Sequence, residues 1–417
     1  MENTLLNKKG ISLNFSETLS RKFIHRVLSN LAYGSLQINE GDNTFYFGKQ
    51  NAEPCANITI NRGAFYQKIL ISGSIGAAES FINNDWTSTD VTAFIQLFAR
   101  NIQLLDKIEG YFSWLFLPVN KVTQLLNKNS ITGSKKNILQ HYDISNEFYS
   151  TFLDASMLYS SAIYANDTMD LAEAQQYKLK TICERLDLQK GQTLLEIGTG
   201  WGALAIYAAK HYDVNVTTTT ISDAQFNFVK ERIAEENLTD KITLLKKDYR
   251  ELTGKYDRLV SIEMIEAVGH EYMPSFFKKV SELTKSNGRL LIQAITIADQ
   301  RYDQYRKSID FIQKYIFPGG CLPSVSVMVN HLKKSSHLMM WSLNDLGQDY
   351  AQTLNDWRNN FEHSLTEIKK QGFSEEFIRM WLFYFHYCEA GFLARTTSAV
   401  HLVAVGSSYS PSKPQAK

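Results

Sequence analysis

The stretch Thr193-Leu194-Leu195-Glu196-Ile197-Gly198-Thr199-Gly200-Trp201-Gly202 constrains this chain more than any other. A short apolar run, broken by one acid, leads into three alternate glycines, and Ala203 to Lys210 behind them reads as a helix. Strand, tight turn and helix in that order open a doubly wound α/β sheet. Glycine has no Cβ, so the backbone turns sharply there and approaches a ligand closely. The helix start then offers free N–H groups to a polar or anionic ligand. Gly198, Gly200 and Ala203 also satisfy the G-x-G-x-x-G/A spacing of dinucleotide sites, which is weak evidence alone. A nicotinamide site expects an acid at the end of the second strand, to hold the ribose. Here that strand, Val214–Thr220, ends in threonines followed by Ile221-Ser222. The bland alternative is a glycine-rich turn with no ligand, but alternate glycines are entropically costly in an ordinary turn.

A length of 417 residues predicts two or three domains, and 44% apolar residues supply a full core. Lysine and arginine total 44 against 43 acids, which argues against bulk nucleic-acid binding and its basic footprint. The cysteines Cys55, Cys183, Cys321 and Cys388 are scattered. They fit a reducing cytosol and offer neither a zinc site nor a disulfide framework, so no metal is expected. The start of the chain is polar and lacks a signal-peptide core. No run is long and apolar enough to span a bilayer; the best, Trp381–Ala394, is interrupted by His386 and Glu389.

In chain order, Ser16–Leu31 has helical apolar spacing, with Arg21, Lys22 and Arg26 on other faces. A membrane-surface helix is one reading; a domain helix with solvated charges is the plainer one. Short β-like runs follow at Ser35–Asn39, Thr44–Gly48 and Ala56–Asn61, with Asp42-Asn43 as a hairpin turn, and Val91–Arg100 reads as a helix. Residues 1–125 are therefore expected to form a small α+β domain. The polar, turn-rich stretch 126–137 reads as a linker, 138–405 as the second domain and 406–417 as a disordered tail. In the second domain Asp170 and Glu173 form a capping box for a helix reaching Leu186. Strands are expected at Thr193–Ile197, Val214–Thr220, Ile242–Lys246, Arg258–Ile262 and Arg289–Ile295, and later at Leu338–Leu343 and His401–Val405. With helices between them these give a mainly parallel sheet, whose ligands sit at the carboxyl ends of the strands. That edge carries Glu196, Thr220, Asp248, Glu263–Glu266 and Gln293–Ile295.

Glu196, two residues before the first glycine, completes an E/D-x-G-x-G-x-G pattern that resembles motif I of class I methyltransferases using S-adenosylmethionine. Further motifs narrow the resemblance. They are His141-Tyr142-Asp143-Ile144, Tyr159-Ser160-Ser161-Ala162, Thr220-Ile221-Ser222-x-x-Gln225, Asp248-Tyr249-Arg250, Glu263-Met264-Ile265-Glu266-Ala267-Val268-Gly269 and Tyr315 through Ser324. Together, over about residues 138 to 405, they resemble the cyclopropane-fatty-acid synthases. Gly73-Ser74-Ile75-Gly76-x-x-Glu79-Ser80 is more weakly similar to that family's small lipid-binding domain. The resemblance implies a class I (Rossmann-like) methyltransferase sheet behind the small α+β domain. It implies methyl transfer from S-adenosylmethionine to the double bond of an unsaturated membrane phospholipid, with ring closure on loss of a proton. It also implies a homodimer docked on the membrane surface, in the cytoplasm at the membrane's inner face.

Carried over by position, Tyr159, Ser160, Glu196, Gly198, Gly200, Thr220, Gln225 and Asp248 would hold the cofactor. Thr220 and Gln225 suit a ribose, and Asp248 suits an adenine amino group, although each alone is as often a turn or cap residue. In the family a bound bicarbonate takes the proton, held by a glutamate, a tyrosine, a histidine, a cysteine and an isoleucine backbone. Glu266, Tyr350 and Ile295 match, while Gln293 stands at the histidine position and Ser161 at the cysteine position. Both replacements hydrogen-bond a small anion, but neither titrates near neutral pH as histidine does. Gln293-Ala294-Ile295 looks like the branch of the family found fused in plant enzymes, which still makes cyclopropanes. If the proton is lost elsewhere, the product is a methyl- or methylene-branched chain. A carbocation on the acyl chain requires a dry aromatic chamber, for which Tyr315 and Phe317 are candidates, with Tyr384 and Tyr387 as the more ordinary core. Glu263 and Glu266, three apart, would share a face on a helical turn beside a cationic cofactor; solvated acids at a strand end are the alternative.

Overall fold

The computed structural model describes residues 11–104 and 145–412, so the expected linker and the His141-Tyr142-Asp143-Ile144 motif fall outside the described residues. The chain divides into two compact units, each built from several segments. The first comprises Met1–Thr123, Asp310–Lys314 and Leu365–Thr396; the second comprises Gln124–Ile309, Tyr315–Ser364 and Thr397–Lys417.

In the first unit, α1 (Phe15–Leu28) opens at Asn14, whose Oδ1 accepts from the Glu17 N–H at 2.9 Å while Glu17 Oε2 accepts from the Asn14 N–H at 2.9 Å. That box satisfies two otherwise orphaned donors. β1 (Ser35–Glu40), β2 (Asn43–Gly48), β3 (Cys55–Ile60) and β4 (Trp86–Ser88) form a sheet of order β2-β1-β3-β4. Glu40 pairs with Asn43, so the hairpin turn is Gly41-Asp42, not Asp42-Asn43. Gly41 takes φ +57°, which a two-residue loop requires and glycine supplies cheaply. α2 (Ala64–Ile82) runs through a stretch whose sequence signalled no element, bending at Gly73 (φ +51°). α3 (Val91–Arg100) begins at Asp90, which accepts from the Ala93 N–H at 2.8 Å. The helix Glu375–Leu393 packs on α2 and α3. Its polar interruptions have partners there: Thr92 Oγ1 lies 2.7 Å from His386 Nδ1 and 3.1 Å from Glu389 Oε2. Tyr384 and Tyr387 pack within this unit, against Trp381 and Phe311. Among the described residues no helix is long and apolar enough to cross a membrane.

In the second unit, α4 (Leu171–Arg185) precedes β5 (Thr193–Ile197), α5 (Ala203–Tyr212), β6 (Asn215–Thr220), α6 (Asp223–Glu235), β7 (Ile242–Lys246) and β8 (Tyr256–Ile262). Then follow α7 (Met273–Leu283), β9 (Thr284–Ile297), α8 (Val325–Ser335), β10 (Met339–Asp345), α9 (Gly347–His363) and β11 (Thr397–Val405). The seven strands order as β10-β11-β9-β8-β5-β6-β7. β9, β8, β5, β6 and β7 run parallel, while β11 lies antiparallel between β9 and β10. This is the class I methyltransferase sheet, with helix-packed cores on both faces. Parallel strands covered on both sides read as near-continuous apolar runs, which is why their positions are legible. Part of the tail is held: Ser412 Oγ donates to Asp187 Oδ1 at 2.7 Å and Tyr409 Oη to Asp187 Oδ2 at 3.0 Å.

Candidate active site

β5 delivers the glycine turn. Gly198, Gly200 and Gly202 take φ +95°, +53° and +87°, the left-handed region where a Cβ is strained. The Gly198 and Thr199 N–H groups both donate to Thr219 O, at 3.2 and 2.9 Å, which anchors the turn on β6. A Cβ added at Gly200 would meet no protein atom within 4 Å, whereas one at Gly202 would lie 3.0 Å from Val229. Gly200 therefore faces open space and Gly202 faces α6. From α6, Arg232 Nη1 donates to Trp201 O at 2.8 Å, fixing the turn's far side.

The polar side chains around the turn are built in. Glu196 lies beside Thr218 on the neighbouring parallel strand and accepts from its hydroxyl at 2.5 Å. Burial pushes its carboxyl up to about 8. Thr220 Oγ1 donates to Gln225 Oε1 at 2.8 Å and accepts from the Ser222 N–H at 3.1 Å. Asp248 is clasped by Arg250, whose Nε and Nη2 donate to its two oxygens at 2.8 and 2.6 Å. Tyr159 stands among Tyr149, Trp357 and Phe317, with ring centroids 5.4, 5.2 and 6.4 Å away. Ser160 Oγ accepts from Lys178 Nζ at 2.8 Å. That ammonium is fully buried, and desolvation lowers its pKa to about 8 against the upward pull of Glu263 and Asp154.

Beyond the end of β8 two half-buried glutamates, Glu263 and Glu266, follow in quick succession. Glu266 Oε1 accepts from the Ile295 N–H at 2.6 Å, while its Oε2 is buried with no hydrogen-bond partner among the described residues. Burial, and then the charge of Glu263, push the Glu266 carboxyl up to about 8. Glu263 is the hub. Its Oε1 accepts from the Ser161 N–H at 2.9 Å and from Gln293 Nε2 at 2.7 Å, and its Oε2 accepts from the Tyr350 hydroxyl at 2.8 Å. Burial raises its pKa, and those donors and Lys178 work against the rise. Gln293 is oriented from behind: Arg185 Nη1 lies 2.6 Å from His401 Nδ1, and His401 Nε2 lies 2.8 Å from Gln293 Oε1. Arginine only donates, so Nδ1 accepts, Nε2 carries the proton, and the Gln293 amide must turn its NH2 toward Glu263.

Ser161, Gln293 and Tyr350 thus converge on Glu263, and Ile295 on Glu266. Ser161 contributes its backbone; its hydroxyl donates to Ala162 O at 2.9 Å. Lys178 and His401 belong to this network although the sequence reading names neither, and Glu263 enters that reading only as an acid beside the cofactor. Lys178 carried a signal, a lysine on the apolar stripe of Leu171, Ala174, Leu179 and Ile182. His401 carried another, an imidazole inside an apolar strand. The left-handed φ of +47° at Glu263 and its role as shared acceptor arise only in the fold.

Comparison with known proteins agrees with this geometry. The mycolic acid cyclopropane synthetase family profile matches residues 129–402. The chain is 36% identical to the cyclopropane-fatty-acyl-phospholipid synthase of Escherichia coli K12, over 83% of this chain and 86% of that one. It is 34% identical to the tuberculostearic acid methyltransferase UfaA1 of Mycobacterium tuberculosis H37Rv, over 79% of this chain and 78% of that one. The crystal structure of mycolic acid cyclopropane synthase CmaA1 complexed with SAH and CTAB superposes with a TM-score of 0.61 at 29% identity, covering 65% of this chain and 98% of that one. A strand-ordered glycine turn, paired half-buried carboxylates and a family match over most of the second unit converge on one assignment: the chain belongs to the cyclopropane synthase family of S-adenosylmethionine-dependent methyltransferases.

Proposed function

We propose that this enzyme transfers a methyl group from S-adenosylmethionine to the double bond of an unsaturated phospholipid acyl chain and closes a cyclopropane ring there. The observation that carries the reading is the pair of hydrogen-bonded, half-buried carboxylates, Glu263 and Glu266, on the sheet edge that also bears the glycine turn. The residues fit the cofactor. Open space beside Gly200 would admit it, Gly198 would let the backbone approach, and Thr220 and Gln225 would hold the ribose. Glu196 sits behind the turn, Tyr159 and Ser160 close another side, and Asp248 keeps unused lone pairs for an adenine amino group. The cofactor supplies an electrophilic methyl on a sulfonium; the protein supplies alignment and dryness. Trp357 and Phe317, packed around Tyr159, offer aromatic faces that would favour a cationic carbon.

Bicarbonate fits this set of residues poorly. The Ile295 N–H is spent on Glu266, and the Gln293 amide and Tyr350 hydroxyl on Glu263.

A second reading keeps the methyl transfer and ends in a methyl- or methylene-branched chain. Gln293 and Ser161, where the resemblance expects histidine and cysteine, favour it, as does similarity to a tuberculostearic acid methyltransferase. Lipids extracted from an expressing host decide between the two by mass spectrometry before and after hydrogenation. The ring and the methylene-branched chain are each one CH2 heavier than the parent acid. A ring resists mild hydrogenation with its characteristic fragmentation, and a methylene branch takes up hydrogen. A methylene product without any ring overturns the first reading.

A membrane-facing role is supported by exposed Phe15, Leu19, Tyr46 and Ile71 in the first unit. A homodimer is supported by the edge strand β10, which exposes Met339, Met340, Trp341 and Leu343. Trp341→Glu is expected to halve the mass seen in sedimentation; an unchanged mass removes β10 as the contact.

A further inference from the structure

We propose that the Glu263 carboxylate is itself the base that takes the proton, in the place where the family resemblance puts a bound bicarbonate. The inference rests on the methyl-transfer reading above and deepens it. A carboxylate and a bicarbonate both present a planar pair of oxygens on one carbon, bicarbonate carrying a hydroxyl as its third, and the pair accepts hydrogen bonds in the same plane. Three of the five groups that would hold the free anion belong to Ser161, Gln293 and Tyr350, and all three donate to Glu263, at 2.9, 2.7 and 2.8 Å. A fourth, the Ile295 N–H, closes on Glu266 at 2.6 Å. The fifth is Glu266, whose buried Oε2 has no hydrogen-bond partner among the described residues. The anion's seat is filled from within the chain.

Two features hold Glu263 in that seat. Its backbone takes φ +47°, an unfavourable conformation for a residue with a Cβ, and its N–H donates to Gln293 O at 2.8 Å. Strain of this kind persists where the surroundings over-determine it, and here it turns the side chain onto its donors. The imidazole that the resemblance expects at position 293 is found one strand away. His401, held by Arg185, fixes the Gln293 amide so that its NH2 points at Glu263. The buried Lys178 ammonium favours the ionised carboxylate.

The step balances. The alkene's electron pair forms the new C–C bond as the C–S bond breaks, leaving a neutral thioether and a positive carbon on the acyl chain. A C–H pair of the transferred methyl closes the ring, and its proton goes to an oxygen of Glu263. That proton must reach water before the next turnover.

The test compares wild type, Glu263→Gly and Glu263→Gln, each as full chain, with vesicles of an unsaturated phospholipid and S-adenosylmethionine. Buffers are either stripped of carbon dioxide or supplied with bicarbonate. Wild type is expected to turn over at the same rate in both. Glu263→Gly relieves the strained φ and vacates the seat. It is expected to lose about 100-fold or more of the rate in stripped buffer, in the range general bases contribute, and to regain much of it with bicarbonate. Glu263→Gln keeps the seat filled but cannot take a proton, so it is expected to be slow in both buffers. Carbon-13 NMR of labelled bicarbonate provides a readout independent of turnover: line broadening with Glu263→Gly and none with wild type. Wild type that needs bicarbonate or broadens its signal overturns the proposal, as does Glu263→Gly at full rate in stripped buffer. Absence of methylated lipid from wild type in either buffer instead counts against the methyl-transfer reading, and the NMR comparison still decides the question of the seat.

Discussion

Valine at position 200 is expected to weaken S-adenosylmethionine binding by at least about 100-fold, or about 2.8 kcal/mol, while the protein stays folded. Gly200 holds φ +53°, so any side chain there adds about 1–2 kcal/mol of backbone strain. A Cβ at that point touches no protein atom within 4 Å, so the larger effect falls on whatever occupies the open space. Gly202→Ala is the control. Its Cβ would press on Val229 at 3.0 Å, with φ +87°, so it should lower the melting temperature rather than act first on affinity. Calorimetric titration and thermal melting of the two variants separate the effects. A Gly200→Val protein that binds the cofactor as wild type does would remove the glycine turn from the site.

Glu266→Gln is expected to move activity and stability in opposite directions. The amide still accepts from the Ile295 N–H, so the local backbone is kept. With the cationic cofactor bound, which favours the ionised carboxylate, glutamine removes a charge that would face a cationic substrate carbon, with an expected fall in kcat of about 100- to 1,000-fold, as for other preorganised electrostatic groups. Stability follows from the raised carboxyl, at about 8 in the folded, ligand-free protein. A carboxyl raised on folding binds its proton more tightly in the native state. Its favourable contribution is complete below the unfolded pKa and is lost as pH rises toward 8. One such proton gives a slope of up to about 1.4 kcal/mol per pH unit. Wild type should therefore lose stability between about pH 4.5 and 8, and Glu266→Gln should lose less, ending more stable than wild type at pH 8. Parallel stability curves across that window would show that Glu266 is already ionised when the chain folds.

Much of the second unit was legible because its signals are local. β5, its glycines and α5 are one continuous stretch, and the capping box at Asp170 and Glu173 is complete within four residues. Buried parallel strands announce themselves by apolar runs. The first unit was less legible. α2 has glycines inside it, and a Cβ at Gly76 would lie 1.9 Å from Lys68 O, so the kinked helix depends on close backbone approach. No periodicity announces such a helix. The helix Glu375–Leu393 joins this unit from far along the chain, which no local pattern records.

The sequence by itself determined the parallel sheet, the glycine turn at the end of β5 and the set of polar residues on that edge, since each is written in neighbouring residues. Only the tertiary structure decided which oxygen receives which donor. Ser161, Glu263, Gln293, Tyr350 and His401 come from separate parts of the chain, and they meet because β8, β9 and β11 lie side by side. Hydrogen bonds act over about 3 Å and depend on direction, so residue identity names the available donors and acceptors while three-dimensional placement alone pairs them.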